Sequence, residues 1–101
     1  MPTFMNFINW TDASAKDPKG MRQRQAGAKE MVAKCGGTVK GLYVVTGQYD
    51  AVLIAEFPDG DAMTKFVLSA GQTGHVRTTT VRAYTEDEIG KIVDEKIVDD
   101  M

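Results

Sequence analysis

The sequence is poor in cysteine, histidine and tryptophan, with one residue of each among 101. The single thiol, Cys35, cannot form a disulfide within the chain and has no second cysteine with which to share a metal ion. We interpret it as a small apolar residue near a helix end. No group of His, Cys and acidic residues has ligand spacing, so the sequence predicts no metal site made by protein side chains.

The sequence also has neither a large surplus of one charge nor a long apolar run. Lys and Arg total 12 against 14 Asp and Glu, which gives a net charge of -2. No basic excess is present to neutralise a phosphate backbone, so we expect no nucleic-acid partner. The apolar runs are far shorter than the ~20 residues that cross a bilayer, so we expect no membrane partner. The segment Met1-Pro2-Thr3-Phe4 has no features of a secretory signal, which predicts a cytoplasmic location.

Hydrophobic periodicity predicts one domain, residues 1–101, with four strands and three helices in the order β-α-β-β-α-β-α. The predicted strands are 3–10, 39–46, 49–57 and 75–84. Gly47-Gln48 between the second and third strands is typical of a type II′ hairpin turn. This order predicts a ferredoxin-like βαββαβ fold of the α+β class, with both long helices on one face of a four-stranded antiparallel sheet and an additional C-terminal helix.

Local signals predict the helix ends. Asp17-Pro18 favours a start for the first helix, and Gly36-Gly37 favours its end. Asp59 offers a cap for the second helix, and Gly71 a stop. Thr85 and Glu88 have the spacing of a capping box that begins the third helix, whose apolar face is formed by Ile89, Ile92, Val93 and Ile97.

Apolar residues occupy both faces of the predicted sheet. On the third strand, for example, Leu53 and Ala55 alternate with Val52 and Ile54, where a strand with one wet face would alternate apolar with polar residues. Burial of half a dozen such side chains is worth roughly 10 kcal/mol. One short helix cannot cover four strands, whereas the sheet of a second copy can. The pattern therefore predicts a homodimer or higher homo-oligomer.

Several segments together resemble the GYD domain family. They are Asn9-Trp10-Thr11, Gly36-Gly37, Gly47-Gln48-Tyr49-Asp50 followed by Ala51-Val52-Leu53-Ile54, and Val76-Arg77-Thr78-Thr79-Thr80. The resemblance implies a dimeric α+β barrel, in agreement with the patterning. It implies little about chemistry, because that family is largely uncharacterised. Related barrels include cofactor-free monooxygenases, haem-handling enzymes, isomerases and ligand-sensing modules, so the fold leaves the function open.

Six residues are candidates for a ligand-binding site, and three of them, His75, Tyr49 and Asp50, are also candidates for catalysis. His75 is the one side chain that titrates near neutral pH unaided, and its spacing from Arg77 predicts that both point to one face. Such a pair suits a general base, or a haem ligand, beside a cation that binds a carboxylate. The alternative for His75 is a solvated position at a loop edge.

Tyr49 and Asp50 follow the predicted turn, where a hydroxyl and a carboxylate could serve in proton transfer. Their alternative role is structural, with Asp50 capping the turn and Tyr49 packing beside it. Asn9 and Trp10 end the first strand, where they line a cavity mouth or belong to an interface core.

Arg77 and Arg82 are five residues apart on the fourth strand, so they face opposite ways. A guanidinium on a buried or interfacial face is costly unless it meets a carboxylate or an anionic ligand. Asp50 and Glu56 are the internal partners that we consider for it.

Three hypotheses for function follow. The first is a homo-oligomer that binds a small organic molecule in the barrel or between sheet and helices; the second is an enzyme of the cofactor-free monooxygenase or isomerase kind; the third is an assembly module without a pocket. A closed interior would favour the third, and a cavity with a few convergent polar groups would favour the first two. We expect no cofactor, with haem as an alternative because it needs only one axial histidine.

Overall fold

The structure of the chain, a computed structural model, describes residues 1–96 and 98. Its sheet contains β1 (Thr3–Trp10), β2 (Thr38–Val44), β3 (Ala51–Glu56) and β4 (Val76–Ala83). All pairs of neighbouring strands are antiparallel, and the order across the sheet is β2-β3-β1-β4. The helices are α1 (Asp12–Ala15), α2 (Met21–Lys34), α3 (Gly60–Gln72) and α4 (Glu86–Lys96), with a 3-10 turn at Pro18–Gly20. The ferredoxin-like α+β fold with a C-terminal helix is confirmed.

The core lies between the sheet and the layer formed by α2 and α3. Strand β3 turns every second residue toward this layer, from Ala51 to Ala55, and each of these is buried. Phe57 stands at the centre, with the ring of Phe4 at 6.0 Å and that of Phe66 at 5.6 Å between centroids. Apolar side chains from one sheet face and two helices therefore form one contiguous core.

The chain between β1 and α2 differs from the prediction. The long helix begins at Met21 rather than at Asp17-Pro18, and the short helix α1 precedes it. Asp17 makes no side-chain cap hydrogen bond; its carboxylate lies 3.5 Å from Nη1 of Arg24 instead. Ser14 of α1 is buried, and its hydroxyl donates to the carbonyl of His75 at 2.7 Å. This long-range bond fixes α1, and local helix signals do not record it.

The connection between β2 and β3 is longer than the predicted two-residue turn. The Val45 N–H donates to the Asp50 carbonyl at 2.9 Å, which closes the loop around residues 46–49, with Gly47 at a φ of 122°. A β-bulge at Lys40 adds one residue to β2, so Val39 and Leu42 face the helices together. Simple alternation along this strand predicts that Val39 and Tyr43 share one face, opposite Leu42. This prediction was wrong, because an extra residue inverts the sides of all that follow.

The remaining helix ends follow the predicted local chemistry, except the end of α3. Asp59 accepts a hydrogen bond from the N–H of Ala62 at 2.8 Å, and Thr85 and Glu88 form the reciprocal pair of a capping box. Gly36 ends α2 with a φ of 78°. Helix α3 passes Gly71 and ends at Gln72, and Gly74 takes the left-handed conformation after it, with a φ of 77°.

The second sheet face, which we call the open face, carries the alternate residues of all four strands. Within the described chain no helix covers it, so Tyr43 is 59% exposed and Val81 42%. Helix α4 also leaves its apolar side in solvent, with Ile89 45% and Val93 54% exposed. Val98 is exposed as well, and the predicted face residue Ile97 lies outside the described residues.

Among the described residues, no helix combines the length and the apolar character that spanning a membrane requires.

Candidate functional site

A cavity of about 230 Å³ lies between the sheet and the two long helices. Its apolar lining residues are Ile8, Trp10, Met21, Ala28, Met31, Leu42, Val44, Ala51, Phe66, Ala70 and Val76. They come from all four strands and from both α2 and α3. A concave, mostly apolar space of this kind is the usual form of a small-molecule site. The cavity is thus a candidate binding site.

Four of the lining residues are exposed, and they frame the mouth of the cavity. They are Gly27, Val44, Thr73 and His75. Thr73 is engaged already, since its hydroxyl donates to the Ala70 carbonyl at 2.7 Å and accepts from the His75 N–H at 3.2 Å. Arg24 and Gln25 contribute the other polar side chains of the lining. The polar side chains of the lining are therefore few, and the rest of the lining is apolar.

Arg24 is the charged member of the lining among the described residues. Its guanidinium donates to the Asp17 carbonyl at 2.9 Å and to the Ser14 carbonyl at 3.4 Å. The carboxylate of Asp17 lies at a long 3.5 Å, and its side chain is 64% exposed, whereas that of Arg24 is only 20% exposed. A guanidinium has five N–H donors, so these contacts orient Arg24 without using all of them.

Two residues of the α1 region hold the backbone of His75 at the mouth. The Thr11 N–H and the Ser14 hydroxyl both donate to its carbonyl, at 3.1 Å and 2.7 Å. The Thr11 hydroxyl also donates to the Gly74 carbonyl at 2.8 Å. The position of His75 is therefore set by a chain segment more than sixty residues away, a form of preorganisation that binding sites use.

Asp50 connects the β2–β3 loop to the wall of the cavity. Its carboxylate accepts the backbone N–H of Trp10 at 2.8 Å, and its own N–H donates to the Ile8 carbonyl at 2.8 Å. Asp50 thus extends the β1–β3 ladder by one side-chain bond beyond Ala51. This contact places the carboxylate in a structural role at the end of β1, where it fixes the strand that carries Trp10.

The remaining predicted site residues lie on the open face. Asn9 pairs in register with Arg77, and both project away from the helices. The ring of Tyr49 packs on Phe7, with 5.0 Å between centroids. The prediction that His75 and Arg77 share one face was wrong, because His75 precedes β4 and lines the cavity mouth while Arg77 follows the strand register.

Arg82 faces the helix side of the sheet, opposite to Arg77 as expected, but its partners differ from those considered. Its guanidinium lies 3.5 Å from Glu88 and stacks 4.1 Å from the centroid of Tyr84. Glu56 pairs instead with Lys40, at 3.6 Å. Arg82 therefore ties β4 to the start of α4, away from the cavity.

The described part of the chain contains no cluster of three or more His, Cys, Asp and Glu side chains that could hold a metal ion.

Comparison with known families gives a match to the GYD domain over residues 4–93, which is most of the chain. The chain belongs to the GYD domain family. No curated protein matches this GYD domain.

Solved structures with the same fold include small proteins and larger regulators. The protein FFRP-DM1 shares 21% identity at a TM-score of 0.59, covering 83% of this GYD domain and all of that chain. TTHA0845 from Thermus thermophilus shares 24% identity at a TM-score of 0.54, covering 84% and 95%. A feast or famine regulatory protein from M. tuberculosis, complexed with L-methionine, shares 19% at a TM-score of 0.58, covering 85% and 54%. These likenesses concern the fold.

Sequence reasoning missed the part of the site that α2 provides. Met21, Gln25, Ala28 and Met31 recur at three- and four-residue spacing, a pattern typical of core packing, yet they line the cavity. Gly27 was the available signal, since a glycine in the middle of a helix costs up to about 1 kcal/mol against alanine. Arg24 was not among the predicted site residues, and its contacts with Ser14 and Asp17 depend on the fold.

Proposed function

We propose that this GYD domain is a homo-oligomeric module that binds a small organic molecule in the cavity between its sheet and its helices. The cavity itself carries the proposal. Its lining is mostly apolar with a few polar side chains, which is the composition of small-molecule sites in general. An assembly module without a pocket would instead have a closed interior.

The residues around the cavity support a binding site with a fixed backbone and some adaptable side chains. Trp10 and His75, both expected as binding residues, line it, and hydrogen bonds fix the backbone of each. Met21 and Met31 form part of the wall, and methionine side chains adapt to ligands of different shape at little cost.

The open face supports the oligomeric part of the proposal. Met5, Phe7, Val52 and Ile54 are only half-buried there, beside the exposed Tyr43 and Val81. A continuous apolar sheet face in solvent is characteristic of an interaction surface. A second copy would cover it sheet against sheet, and the same contact would enclose Asn9, Tyr49 and Arg77.

One relative in fold also supports small-molecule binding. The feast or famine regulatory protein from M. tuberculosis was solved in complex with L-methionine. A domain of this fold therefore occurs in a protein that binds a small molecule. The identity of 19% restricts this support to the fold.

The enzymatic alternative requires a set of groups for proton transfer in one place. His75 reaches the cavity mouth, but Tyr49 stacks on the open face and Asp50 is hydrogen-bonded to the backbone of Trp10. Of the three catalytic candidates only His75 lines the cavity in the described part of the chain, so we propose binding rather than catalysis. The expectation that no cofactor takes part stays a prediction.

Native mass spectrometry of the purified protein tests the proposal. We expect a dimer or a multiple of it, carrying added mass from a retained molecule. Ala28→Leu narrows the cavity and should remove the adduct, whereas Ala26→Leu on the exposed side of α2 should retain it. A monomer contradicts the oligomeric part. Equal adducts in both variants contradict the cavity as the binding site.

A further inference from the structure

The mouth of the cavity contains the observations that define the kind of ligand. Arg24 is the charged lining residue in the described part of the chain, and no carboxylate lines the cavity there. Asp17 is not a lining residue, and its largely exposed carboxylate lies 3.5 Å from Nη1 of Arg24. Exposed ion pairs of this kind are weak. A cation held at the edge of an apolar cavity selects for a ligand with a negative charge.

The hydrogen bonds of Arg24 leave donors for such a ligand. Three bonds, to the Ser14 and Asp17 carbonyls and the Asp17 carboxylate, involve Nη1 and Nη2. Two of the five N–H donors of a guanidinium therefore have no partner among the described residues. Gln25 and His75, also in the lining, carry further side-chain donors. One guanidinium balances the single charge of a carboxylate, whereas a phosphate carries nearly two.

The volume limits the size of the ligand. An apolar cavity of about 150 Å³ accepts benzene, with six non-hydrogen atoms, so a cavity of about 230 Å³ has room for on the order of nine.

We propose that the ligand of this cavity is a monocarboxylate with a compact apolar body, on the order of nine non-hydrogen atoms in all. Its apolar body lies between Met21, Met31 and Trp10, and its carboxylate is bound at the mouth by Arg24 with Gln25 and His75 as further donors. This inference rests on the proposed binding function and adds the chemical class of the ligand.

The test compares two probes of equal size, cyclohexanecarboxylate and its neutral amide, cyclohexanecarboxamide. Trp10 is the sole tryptophan and lines the cavity, so its fluorescence reports binding directly. A charge-assisted hydrogen bond contributes about 1.5–3 kcal/mol, so we expect the carboxylate to bind at least about ten-fold more tightly than the amide.

Variants assign this preference to Arg24. Arg24→Gln should weaken binding of the carboxylate about ten-fold or more and change that of the amide by less than about two-fold. Arg22→Gln is the matched control, because Arg22 is exposed on the same helix and does not line the cavity. Since Arg24 also braces Ser14 and Asp17, Arg24→Lys, which keeps the charge, serves as a second variant and should retain part of the preference.

The outcomes separate this inference from the binding function. Equal affinity for the two probes, with both lost in Ala28→Leu, would leave the cavity as a binding site and overturn the carboxylate class. If neither probe changes the Trp10 fluorescence and neither displaces a retained ligand, the carboxylate class and the binding function are both overturned. An equal loss in Arg22→Gln and Arg24→Gln would overturn the role of Arg24.

Discussion

Gly27 and Gly37 show how differently two glycines of one chain are constrained. A β-carbon on Gly37 would lie 2.7 Å from the Glu56 carbonyl oxygen and 2.8 Å from the ring of Phe57, so the core requires glycine there. A β-carbon on Gly27 would meet open space. The first glycine is explained by packing, whereas no contact requires the second.

This contrast predicts opposite effects of alanine at the two positions. Gly27→Ala should raise the free energy of unfolding by about 0.4–1 kcal/mol, because alanine restricts the unfolded chain and favours helix. Gly37→Ala should lower it by about 1–3 kcal/mol through overpacking. Urea denaturation followed by circular dichroism measures both, and a loss of stability in Gly27→Ala would contradict the open space beside α2.

Asp50 supports a second prediction. Asp50→Ala leaves the Trp10 N–H without its acceptor and should lower the free energy of unfolding by about 1–3 kcal/mol. Asp50→Asn retains a side-chain oxygen and should cost clearly less. If the two substitutions destabilise the protein equally, or not at all, the bond to Trp10 is not what holds the end of β1.

Residues with local roles were predictable from the sequence, and residues with distant partners were not. The caps at Asp59 and Thr85 depend on neighbours three residues away, so their spacing reveals them. Arg24 and Ser14 act through partners that only the fold brings near. For the same reason, the sequence offered the positions of His75 and Trp10 but could not show that they line one cavity.

At the scale of elements, β2 and α4 differ from what their sequences suggest. The bulge at Lys40 was not predictable, because apolar residues occur on both faces of this strand and an extra residue leaves no gap in their pattern. The start of α4 was predictable, because its capping box is a contact within one turn. Its apolar face, however, is exposed in the described chain, so α4 depends on local interactions or on a second copy.

The start of α4 should respond to acid. The Thr85 N–H donates to the carboxylate of Glu88 and, with smaller contributions from Arg82, holds the pKa of Glu88 below its ordinary value. A lowered folded-state pKa means that the stabilisation is complete above the unfolded-state pKa and is lost as the pH falls through the folded-state pKa.

We therefore expect the helical 13Cα shifts of the first turn of α4 to decline as the pH falls through the pKa of Glu88. Glu88→Gln should remove most of this dependence. Glu86→Gln, in the same turn and exposed, should leave it intact. If the 13Cα shifts depend on pH identically in the Glu88→Gln variant and in the unaltered protein, the role of the capping box is contradicted.

At the scale of the whole molecule, the two faces of one sheet have different surroundings. The helix-covered face contains the core and the cavity, and the open face leaves apolar residues exposed in the described chain. The apolar pattern on β1 and β3 predicted this division correctly, because strand alternation records which side each residue takes. It could not predict the cavity, because a space is formed by residues that are too small to meet across it.

Charge on the open face should dissociate the oligomer. Val81→Lys places an ammonium group among the side chains of the proposed interface, where it would be buried without a partner. Sedimentation velocity should then show a monomer at concentrations where the unaltered protein is a dimer. Leu68→Lys is the control, because Leu68 is more exposed, at 69%, but lies on α3 away from the open face. Dissociation by Leu68→Lys alone would place the interface elsewhere.

The central claim is that a small molecule enters the cavity between sheet and helices, and methyl NMR of methionine tests it most directly. Met21 and Met31 line the cavity, whereas Met5 lies on the open face and Met63 packs against the core from α3. With 13C-methyl-methionine protein and benzene as a neutral probe, we predict saturable shifts at Met21 and Met31 and little change at Met5 and Met63. Shifts that are largest at Met5, or absent at every methionine, would contradict the account.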